Sequence, residues 1–167
     1  ISSFKIHKKW DMENKVFQFI SSERGLLLLA LLKTKMDTHY FKKIKETVSF
    51  YGADLRNADF HGLNLSGIYL KNANLEYANL QGTNLNNANL NDAILVGANL
   101  NQASLVGANL IGAKLNWAKI NGADLQLAKL DSADFSNAIV QKSKLNNATL
   151  INAVLFNAVF YESDLSY

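Results

Sequence analysis

The sequence predicts an all-β solenoid, preceded by a helical segment at its N-terminal end. From Phe50 to Leu165 a large apolar residue recurs every five residues, at 24 positions and without a slip in register. An α-helix would rotate such a stripe by about 140° per repeat, and one continuous strand would alternate its faces. Each repeat is therefore a very short strand followed by a corner, and successive repeats coil into one column.

A second phase of the repeat, two residues before each apolar centre, is mostly alanine. Two residues apart on a strand point to the same face, whereas the three residues from one centre to the next alanine require a bend. We therefore expect both phases to line a narrow bore, in which leucine at Ala98 or Ala108 would overpack the core. The positions of this phase that are not alanine are Val48, Leu63, Ile68, Thr83, Ser143 and Ser163.

The corners can be recognised in the sequence by their residue types. A type II turn requires a positive φ at its second central residue, a conformation that glycine and asparagine tolerate best. All eight glycines after Gly25 fall at that one phase of the repeat, and asparagine fills seven more of its sites. Proline is absent from the chain, as expected where most backbone N–H groups pair with neighbouring coils.

The segments Ala53-Asp-Leu-Arg-Asn57, Ala73-Asn-Leu-Glu-Tyr77 and Ala98-Asn-Leu-Asn-Gln102 resemble the A(D/N)LXX motif of the pentapeptide-repeat family. The resemblance covers residues 48–167, about 70% of the chain. It implies a right-handed quadrilateral β-helix with four repeats per coil, and hence about six coils. We therefore divide the chain into an N-terminal segment, residues 1–47, and a β-helix, residues 48–167.

Residues 1–47 lack the repeat and are predicted to form an α-helical N-terminal cap. Without a cap, the first coil of a solenoid would expose unpaired backbone and its apolar bore. The alternative is that Leu26–Leu32 docks on a partner or a membrane surface, since seven residues are too few to span a bilayer as a helix. The apolar residues of the predicted helices are Val16, Phe17, Phe19 and Ile20, then Leu26–Leu32, then Tyr40, Phe41 and Ile44 behind a cap at Asp37 or Thr38.

The charge is unevenly distributed and weak in both segments. Residues 1–47 hold 10 Lys and Arg against 5 Asp and Glu, and residues 48–167 hold 7 against 9. Neither segment has the dense field of one sign that a dedicated nucleic-acid binder needs. The chain has no cysteine, which excludes disulfides and thiolate chemistry. No leader is recognisable, which favours the cytoplasm, although a chain that begins at Ile1 leaves a removed signal peptide as the alternative.

The sequence carries no motif of a known catalytic centre. It lacks GxSxG, HExxH, a Walker A loop and a GxGxxG between strand and helix, so neither an enzyme nor a cofactor or metal site is predicted. Asp59 and His61 flank Phe60 and project outward from the same short strand. They could form a metal or acid–base pair, but a solvated surface pair or a contact with the cap is the favoured interpretation.

Outward positions of the middle repeats are mostly Asn, Gln or Ser, whereas apolar residues gather late in the chain. Such a surface predicts an interface, and homodimerisation through the C-terminal coils is its expected use. The alternative is that further coils or another domain cover it. A smaller apolar group, Ile94, Val96, Val106, Ile111 and Trp117, is interpreted as incidental. The predicted interface consists of Ile151, Val154, Phe156, Val159, Tyr161 and Tyr167, with Ile139 nearby.

The predicted function is a non-enzymatic scaffold that offers a rigid surface to an unidentified protein partner. The family resemblance implies an alternative, because some pentapeptide-repeat proteins resemble DNA in shape and charge and inhibit or protect DNA gyrase. That mechanism needs a strongly acidic column, and here seven outward Asp residues are offset by lysines, among them Lys114, Lys119, Lys129, Lys142 and Lys144. A third hypothesis is direct DNA binding by the basic N-terminal segment, which predicts salt-sensitive association.

Overall fold

The computed structural model describes residues 8–11, 16–19, 28, 30 and 49–166. The last of these ranges is a column in which parallel β bridges join residues 20 apart, from Asp54 with Asn74 to Lys144 with Asp164. Because 20 residues make four repeats, each coil has four sides. The predicted quadrilateral column of about six coils is therefore confirmed. Its right-handed sense stays a prediction.

Four of the five amides in a typical repeat donate to backbone carbonyls. In the repeat centred on Leu75, the amide of Asn74 donates to the coil before, and those of Leu75 and Tyr77 donate to the coil after, over 2.7 to 2.9 Å. The amide of Ala73 donates across the corner to Leu70, over 3.0 Å, as in a β-turn. Since each of these donors is an N–H group, proline at any of these positions would remove a bond that holds the column together.

The fifth amide belongs to the first of the two corner residues, which lie between an apolar centre and the next alanine. Its hydrogen bond explains why Asp or Asn occurs in the motif. The N–H of Glu76 donates to Oδ1 of Asn74 over 3.0 Å, which forms an Asx turn. Twelve repeats within residues 49–166 have this bond. In a repeat whose outward residue is serine, the N–H of Val106 instead uses Oδ1 of Asn86 in the coil before, at 2.9 Å. The outward Asp or Asn is thus a turn cap as well as a surface residue.

The alanine and apolar-centre phases line the bore, as predicted. In the middle of the column residues such as Leu95 and Ala98 have no exposed surface. Two polar residues are buried among them, and their hydroxyls donate to backbone carbonyls of the coil before. Thr83 Oγ1 donates to the carbonyl of Phe60 over 2.7 Å, and Ser143 Oγ donates to that of Ile120 over 2.5 Å. These bonds remove most of the penalty of placing a polar group in the bore.

The second corner residue has a positive φ throughout the described column. The angles lie between 53° and 68°, and they belong to all eight glycines of the column and to fifteen other residues. The predicted corner is therefore confirmed. Most of the fifteen are small or polar, but Tyr77, Trp117 and Leu127 are bulky. For such side chains the left-handed conformation costs about 1–2 kcal/mol.

The N-terminal segment differs from its predicted helical structure where it is described. Strand β1, Lys8–Asp11, pairs antiparallel with strand β2, Val16–Phe19, with Trp10 opposite Phe17. The prediction of a first helix through Val16, Phe17 and Phe19 is therefore wrong. β-branched and aromatic side chains favour a strand, and the four residues between the two strands are few enough for a hairpin.

The second predicted helix agrees with the structure at the residues described. Leu28 and Ala30 are helical, and Leu28 is fully buried in the same hydrophobic cluster as Phe50 of the column. The third predicted helix, with its cap at Asp37 or Thr38, lies outside the described residues. Within the described residues, no helix is long and apolar enough to cross a membrane.

Candidate interaction surface

The four sides of the column are named here by the apolar centre that each carries in the early coils. Face 1 carries Leu55, face 2 Phe60, face 3 Leu65 and face 4 Leu70, and each face continues at every twentieth residue. The residue before each centre and the two corner residues after it reach the surface. Side chains 20 residues apart therefore stand in rows along the column, about 4.8 Å from one coil to the next.

Amide side chains of the middle coils bind one another and the backbone. On face 2, Asn79 Nδ2 donates to Asp59 Oδ1 over 2.9 Å, and Asn99 Nδ2 donates to Asn79 Oδ1 over 3.4 Å. In the neighbouring row, Asn101 Oδ1 accepts the backbone N–H of Asn121 over 2.9 Å. The polar rows predicted from the sequence are thus also part of the bonding between coils.

Charged side chains form scattered pairs on the surface. Arg56 donates two hydrogen bonds to Asp54, of 2.9 and 2.8 Å, and these bonds hold the pKa of Asp54 below its usual value. Two looser pairs are Lys71 with Asp92 at 4.0 Å and Lys142 with Glu162 at 3.6 Å. Exposed pairs of this kind contribute little to stability, and they neutralise carboxylates that would otherwise make the column acidic.

Two further carboxylates are kept ionised by hydrogen bonds. Partial burial acts to raise the pKa of Asp134, but hydrogen bonds from Ser136 and Asn116 outweigh it, and the pKa is lowered. A bond of 2.6 Å from Asn146 Nδ2 is the main cause of the lowered pKa of Asp164. Both groups are therefore acceptors at neutral pH, and neither is poised to act as a general acid.

Asp59 and His61 are exposed on face 2. Oδ1 of Asp59 accepts the backbone N–H of His61 over 3.2 Å as well as the amide of Asn79. Its carboxylate is thus a turn cap, as in other repeats. In the parts of the chain that the structure describes, no three His, Cys, Asp or Glu side chains group closely enough to hold a metal ion. This geometry fits the interpretation as a solvated surface pair.

The predicted interface residues that the structure describes form a band on the last coil, here called the C-terminal band. Ile151 stands at the corner before face 1, Val154 and Phe156 lie on face 1, and Val159 and Tyr161 lie on face 2. Their exposed fractions range from 43% for Val159 to 68% for Phe156. Tyr167, the sixth predicted residue, lies outside the described residues. The band therefore wraps two adjacent faces without a charged residue between Val154 and Tyr161.

Two sets of neighbours extend the apolar character of the band. Ile139 lies one coil below Val159, is joined to it by a β bridge, and is 38% exposed. The interior residues Leu155 and Leu165 are 44% and 45% exposed, because no coil of the described chain stacks over them. The apolar surface at this part of the column therefore includes both outward and inward positions.

The smaller apolar group predicted from the sequence does not form one patch. Ile94, Val96 and Trp117 lie on face 1, Val106 on face 3 and Ile111 on face 4. Sequence reasoning also missed Tyr77 and Leu127, which are 64% and 59% exposed at corners of the column. The signal that would have found them is a bulky residue at the phase that otherwise holds mainly glycine and asparagine.

Comparison with known proteins identifies the repeat. The family model described as pentapeptide repeats matches in eight copies, over residues 53–92, 68–107, 83–122, 108–147 and 133–166. A search of curated proteins gives no match.

Two solved structures of similar proteins share the fold. One is a pentapeptide repeat protein from the thylakoid lumen of Arabidopsis thaliana, 30% identical, with a TM-score of 0.58 over 59% of this chain and 69% of that one. Another is Rfr23 from the cyanobacterium Cyanothece 51142, 26% identical, with a TM-score of 0.53 over 74% of this chain and 98% of that one. QnrB1, a plasmid-mediated fluoroquinolone resistance protein, is 19% identical, with a TM-score of 0.47 over 68% of this chain and 66% of that one.

Proposed function

The chain belongs to the pentapeptide-repeat family, and on that premise we propose that it is a non-enzymatic binding module that presents a rigid column to other proteins. The observation that carries this proposal is the C-terminal band, whose Phe156, Ile151 and Tyr161 are 68%, 66% and 62% exposed. Apolar and aromatic side chains exposed to this extent on neighbouring positions are typical of interface centres.

The backbone of the column supports a role in binding. Nearly every amide of a middle repeat is held by a neighbouring coil or by a turn cap, so the outward side chains stand on a fixed grid. Because these side chains are already held in place, little free energy is spent on ordering them when a partner binds. The outward residues also stand in a single layer on convex faces, whereas a catalytic centre needs a concave pocket with converging polar groups.

A second copy of the chain is the partner that fits the C-terminal band best. The apolar part of the band, from Val154 to Tyr161, is uncharged, and homodimer interfaces are more apolar than the average protein surface. Two copies can bring the same band together about a twofold axis, so that each Phe156 meets the apolar residues of the other copy. The band would then be buried without any change in the column.

Sedimentation velocity over a range of concentrations tests this dimer. The double variant Phe156→Asp/Tyr161→Asp places two carboxylates in the band, and we expect it to remain monomeric at concentrations where the intact chain dimerises. The matched control is Gln81→Asp/Asn121→Asp, which adds the same charge in the row of face 2 that contains Tyr161, but at least two coils away from it. An intact chain that is monomeric at every concentration, or a control that is equally impaired, would refute the dimer.

A pull-down from native lysate with the same three proteins separates self-association from recognition of another protein. A protein captured by the intact chain and the control, but not by the double variant, binds through the C-terminal band. A protein captured equally by all three binds elsewhere on the column, and the proposed role of the band would then be limited to dimerisation.

The charges of the column do not favour DNA mimicry. Residues 48–167 hold 9 acidic and 7 basic residues, and Asp54, Asp92 and Glu162 each lie within 4.0 Å of a cationic side chain. The potential of the column is therefore far from that of a phosphate backbone. Inhibition of gyrase supercoiling by the intact chain at low salt, and its loss at high salt, would reverse this conclusion.

A further inference from the structure

Face 1 carries two apolar patches that lie three coils apart, counted from the coil that contains Leu55. Ile94 and Val96 project from the third coil and are partly exposed. Val154 and Phe156, which belong to the C-terminal band, project from the sixth coil. Because β bridges join residues 20 apart, each patch has one residue in each of the same two rows. The two patches are therefore about 14 Å apart along the column.

The two coils between the patches carry charges of opposite sign. Lys114 belongs to the fourth coil and Asp134 to the fifth, in the row that runs from Ile94 to Val154. Among the residues that the structure describes, no carboxylate lies within 4.0 Å of the ammonium group of Lys114. From the third coil to the sixth, this row of face 1 is thus apolar, basic, acidic and apolar.

Such an order is complementary to itself when a second copy is turned upside down. A twofold axis parallel to the strands of face 1, between the fourth and fifth coils, places two of these faces together with their columns antiparallel. Each row then meets itself in reverse order, so every apolar residue meets an apolar residue and each charge meets its opposite. The opposed pairs are Ile94 with Val154, Val96 with Phe156, and Lys114 with Asp134.

The other three faces lack this complementarity about the same axis. Face 3 has a charged pair in the same two coils, Asp124 and Lys144, but its flanking positions are mostly polar. On face 2, Lys119 would meet Ile139, and on face 4, Lys129 would meet an amide. A charged pair is therefore not distinctive on this column, whereas a charged pair between two apolar patches is found on face 1.

We infer that the C-terminal band binds face 1 of a second copy, in an antiparallel dimer that has Lys114 and Asp134 of both copies at its centre. This inference rests on the proposed self-association and names the surface that Phe156 contacts. The apolar pairs lose water on contact, and the ion pairs fix the register of the two columns. A shift of one coil would place Lys114 against Lys114, or Asp134 against Asp134, and is therefore disfavoured.

Aromatic residues broaden the patch on the third coil. A Cβ atom built on Gly97 would stand 2.5 Å from Cε1 of Tyr77, so the ring of Tyr77 lies over the corner that follows Val96. Trp117 is 64% exposed in the same corner row, one coil further on. The contact is nevertheless only four coils, about 19 Å, tall. Since interfaces of this size are weak, we expect a dimer that forms at micromolar or higher concentrations.

Sedimentation velocity separates this dimer from one in which two C-terminal bands meet. Phe156→Asp should keep the chain monomeric where the intact chain dimerises, whereas Tyr161→Asp, on face 2, should have little effect. Ile94→Asn should weaken dimerisation about tenfold, because its contact occurs twice in the dimer. Asparagine caps the turn in the same row at Asn74, so this variant should fold. Ile139→Asn makes the same replacement on face 2 and is the matched control.

An exchange of charges tests the two ion pairs. Lys114→Asp and Asp134→Lys each place like charges opposite one another, so each variant alone should stay monomeric where the intact chain dimerises. An equimolar mixture of the two should dimerise, because every carboxylate then faces an ammonium group. Both residue types already occur at this phase of the repeat, so neither variant should unfold. Lys144→Asp and Asp124→Lys, on face 3, change the net charge equally and should each dimerise as the intact chain does.

Three results would show that the inference is wrong. They are unimpaired dimerisation of Ile94→Asn, a mixture of the face 1 charge variants that stays monomeric, and equal impairment of the face 3 variants. If Phe156→Asp and Tyr161→Asp both abolish dimerisation and Ile94→Asn does not affect it, the proposed dimer stands but joins two C-terminal bands. An intact chain that is monomeric at every concentration would refute the proposed dimer and this arrangement together.

Discussion

In the middle of the column Leu95 and Leu105 are fully buried, whereas Leu155 and Leu165 of the last coil are 44% and 45% exposed. All four occupy the same phase of the same repeat. The difference arises because coils stack on both sides of Leu95 and Leu105, whereas Leu155 and Leu165 have a described coil on one side only. In a solenoid, burial is therefore a property of stacking and cannot be assigned to a single repeat.

The outward side chains differ between the same two regions. Middle coils carry amides that bind the neighbouring coils, such as Asn79, Asn99 and Asn101. The last coil carries the C-terminal band, in which Tyr161 stands above the amides Asn121 and Gln141 of its row and Phe156 stands above Ser136. The middle coils thus use their surface to hold the column together, and the last coil has a surface suited to a partner. Four pairs of substitutions test this contrast.

The largest difference is expected for loss of an apolar centre. Leu95→Ala should lower the free energy of unfolding by about 2–5 kcal/mol, because it leaves a cavity between two fixed coils. Leu155→Ala should lower it by only about 1 kcal/mol, because nearly half of that side chain is already exposed. Urea denaturation followed by circular dichroism measures both. Equal losses would show that the last coil is packed as tightly as the middle.

Replacing an alanine of the second phase by leucine should also destabilise a middle coil more than the last coil, but the loss of stability should be smaller. Ala98→Leu places a leucine in a bore with no exposed surface, and we expect it to destabilise the column by about 1–3 kcal/mol. Ala158 is only partly buried, so Ala158→Leu should be tolerated with a loss below about 1 kcal/mol. The midpoint of thermal unfolding distinguishes them, and an unchanged midpoint in Ala98→Leu would contradict the narrow bore.

Corner residues should respond in the opposite direction. Leu127 has a φ of 59°, and Leu127→Gly should raise the free energy of unfolding by about 1 kcal/mol, because it relieves the left-handed strain of a bulky residue. Asn152 has a φ of 58° and already suits the corner, so Asn152→Gly should change stability by less than about 0.5 kcal/mol. A destabilised Leu127→Gly would mean that this leucine makes a contact that the strain argument omits.

The smallest effect is expected from the carboxylates of the turns. The pKa values of Asp134 in the fifth coil and Asp164 in the last coil are both lowered in the folded chain. A lowered pKa stabilises the fold above the unfolded value, about 3.9, and this contribution is lost as the pH falls through the folded value. The urea concentration at the midpoint of unfolding should therefore decrease as the pH is lowered below about 4.

Asp134→Asn and Asp164→Asn should flatten this pH dependence, because asparagine can accept the same turn bond but does not titrate. Hydrogen bonds act on both groups, so we expect similar flattening in the middle and in the last coil. If neither variant changes the slope between pH 5 and pH 2, other groups must govern the loss of stability in acid.

Much of the column could be predicted because its determinants are local. The two buried phases and the positive φ of the corners are confirmed at residues such as Leu95, Ala98 and Gly97. The bond from the N–H of Glu76 to Asn74 was not predicted, although the Asp or Asn that it requires is in the motif. In the sequence this Asp or Asn was interpreted only as a solvated surface residue, because a polar residue at an outward position is expected without any further role.

The N-terminal segment and the surface were harder to predict. An apolar cluster such as Val16, Phe17 and Phe19 suits either a helix or a strand, and its pairing with Lys8–Asp11 decides between them. The candidate interface depended on which outward residues share a face. The structure brings Phe156 and Tyr161 onto adjacent faces, whereas it separates Val106 from Val96, ten residues before it.

The sequence by itself determined the period, the lining of the bore and the position of every corner, since these follow from steric demands within five residues. Only the tertiary structure decided which side chains meet, because contacts on the column join residues 20 apart and depend on how each coil closes. Thus Tyr77 lies across Gly97 and Val159 lies above Ile139, although nothing in the intervening sequence marks either pair. Local sterics repeat along the chain and can be read from it, whereas contacts between coils exist only once the coils have stacked.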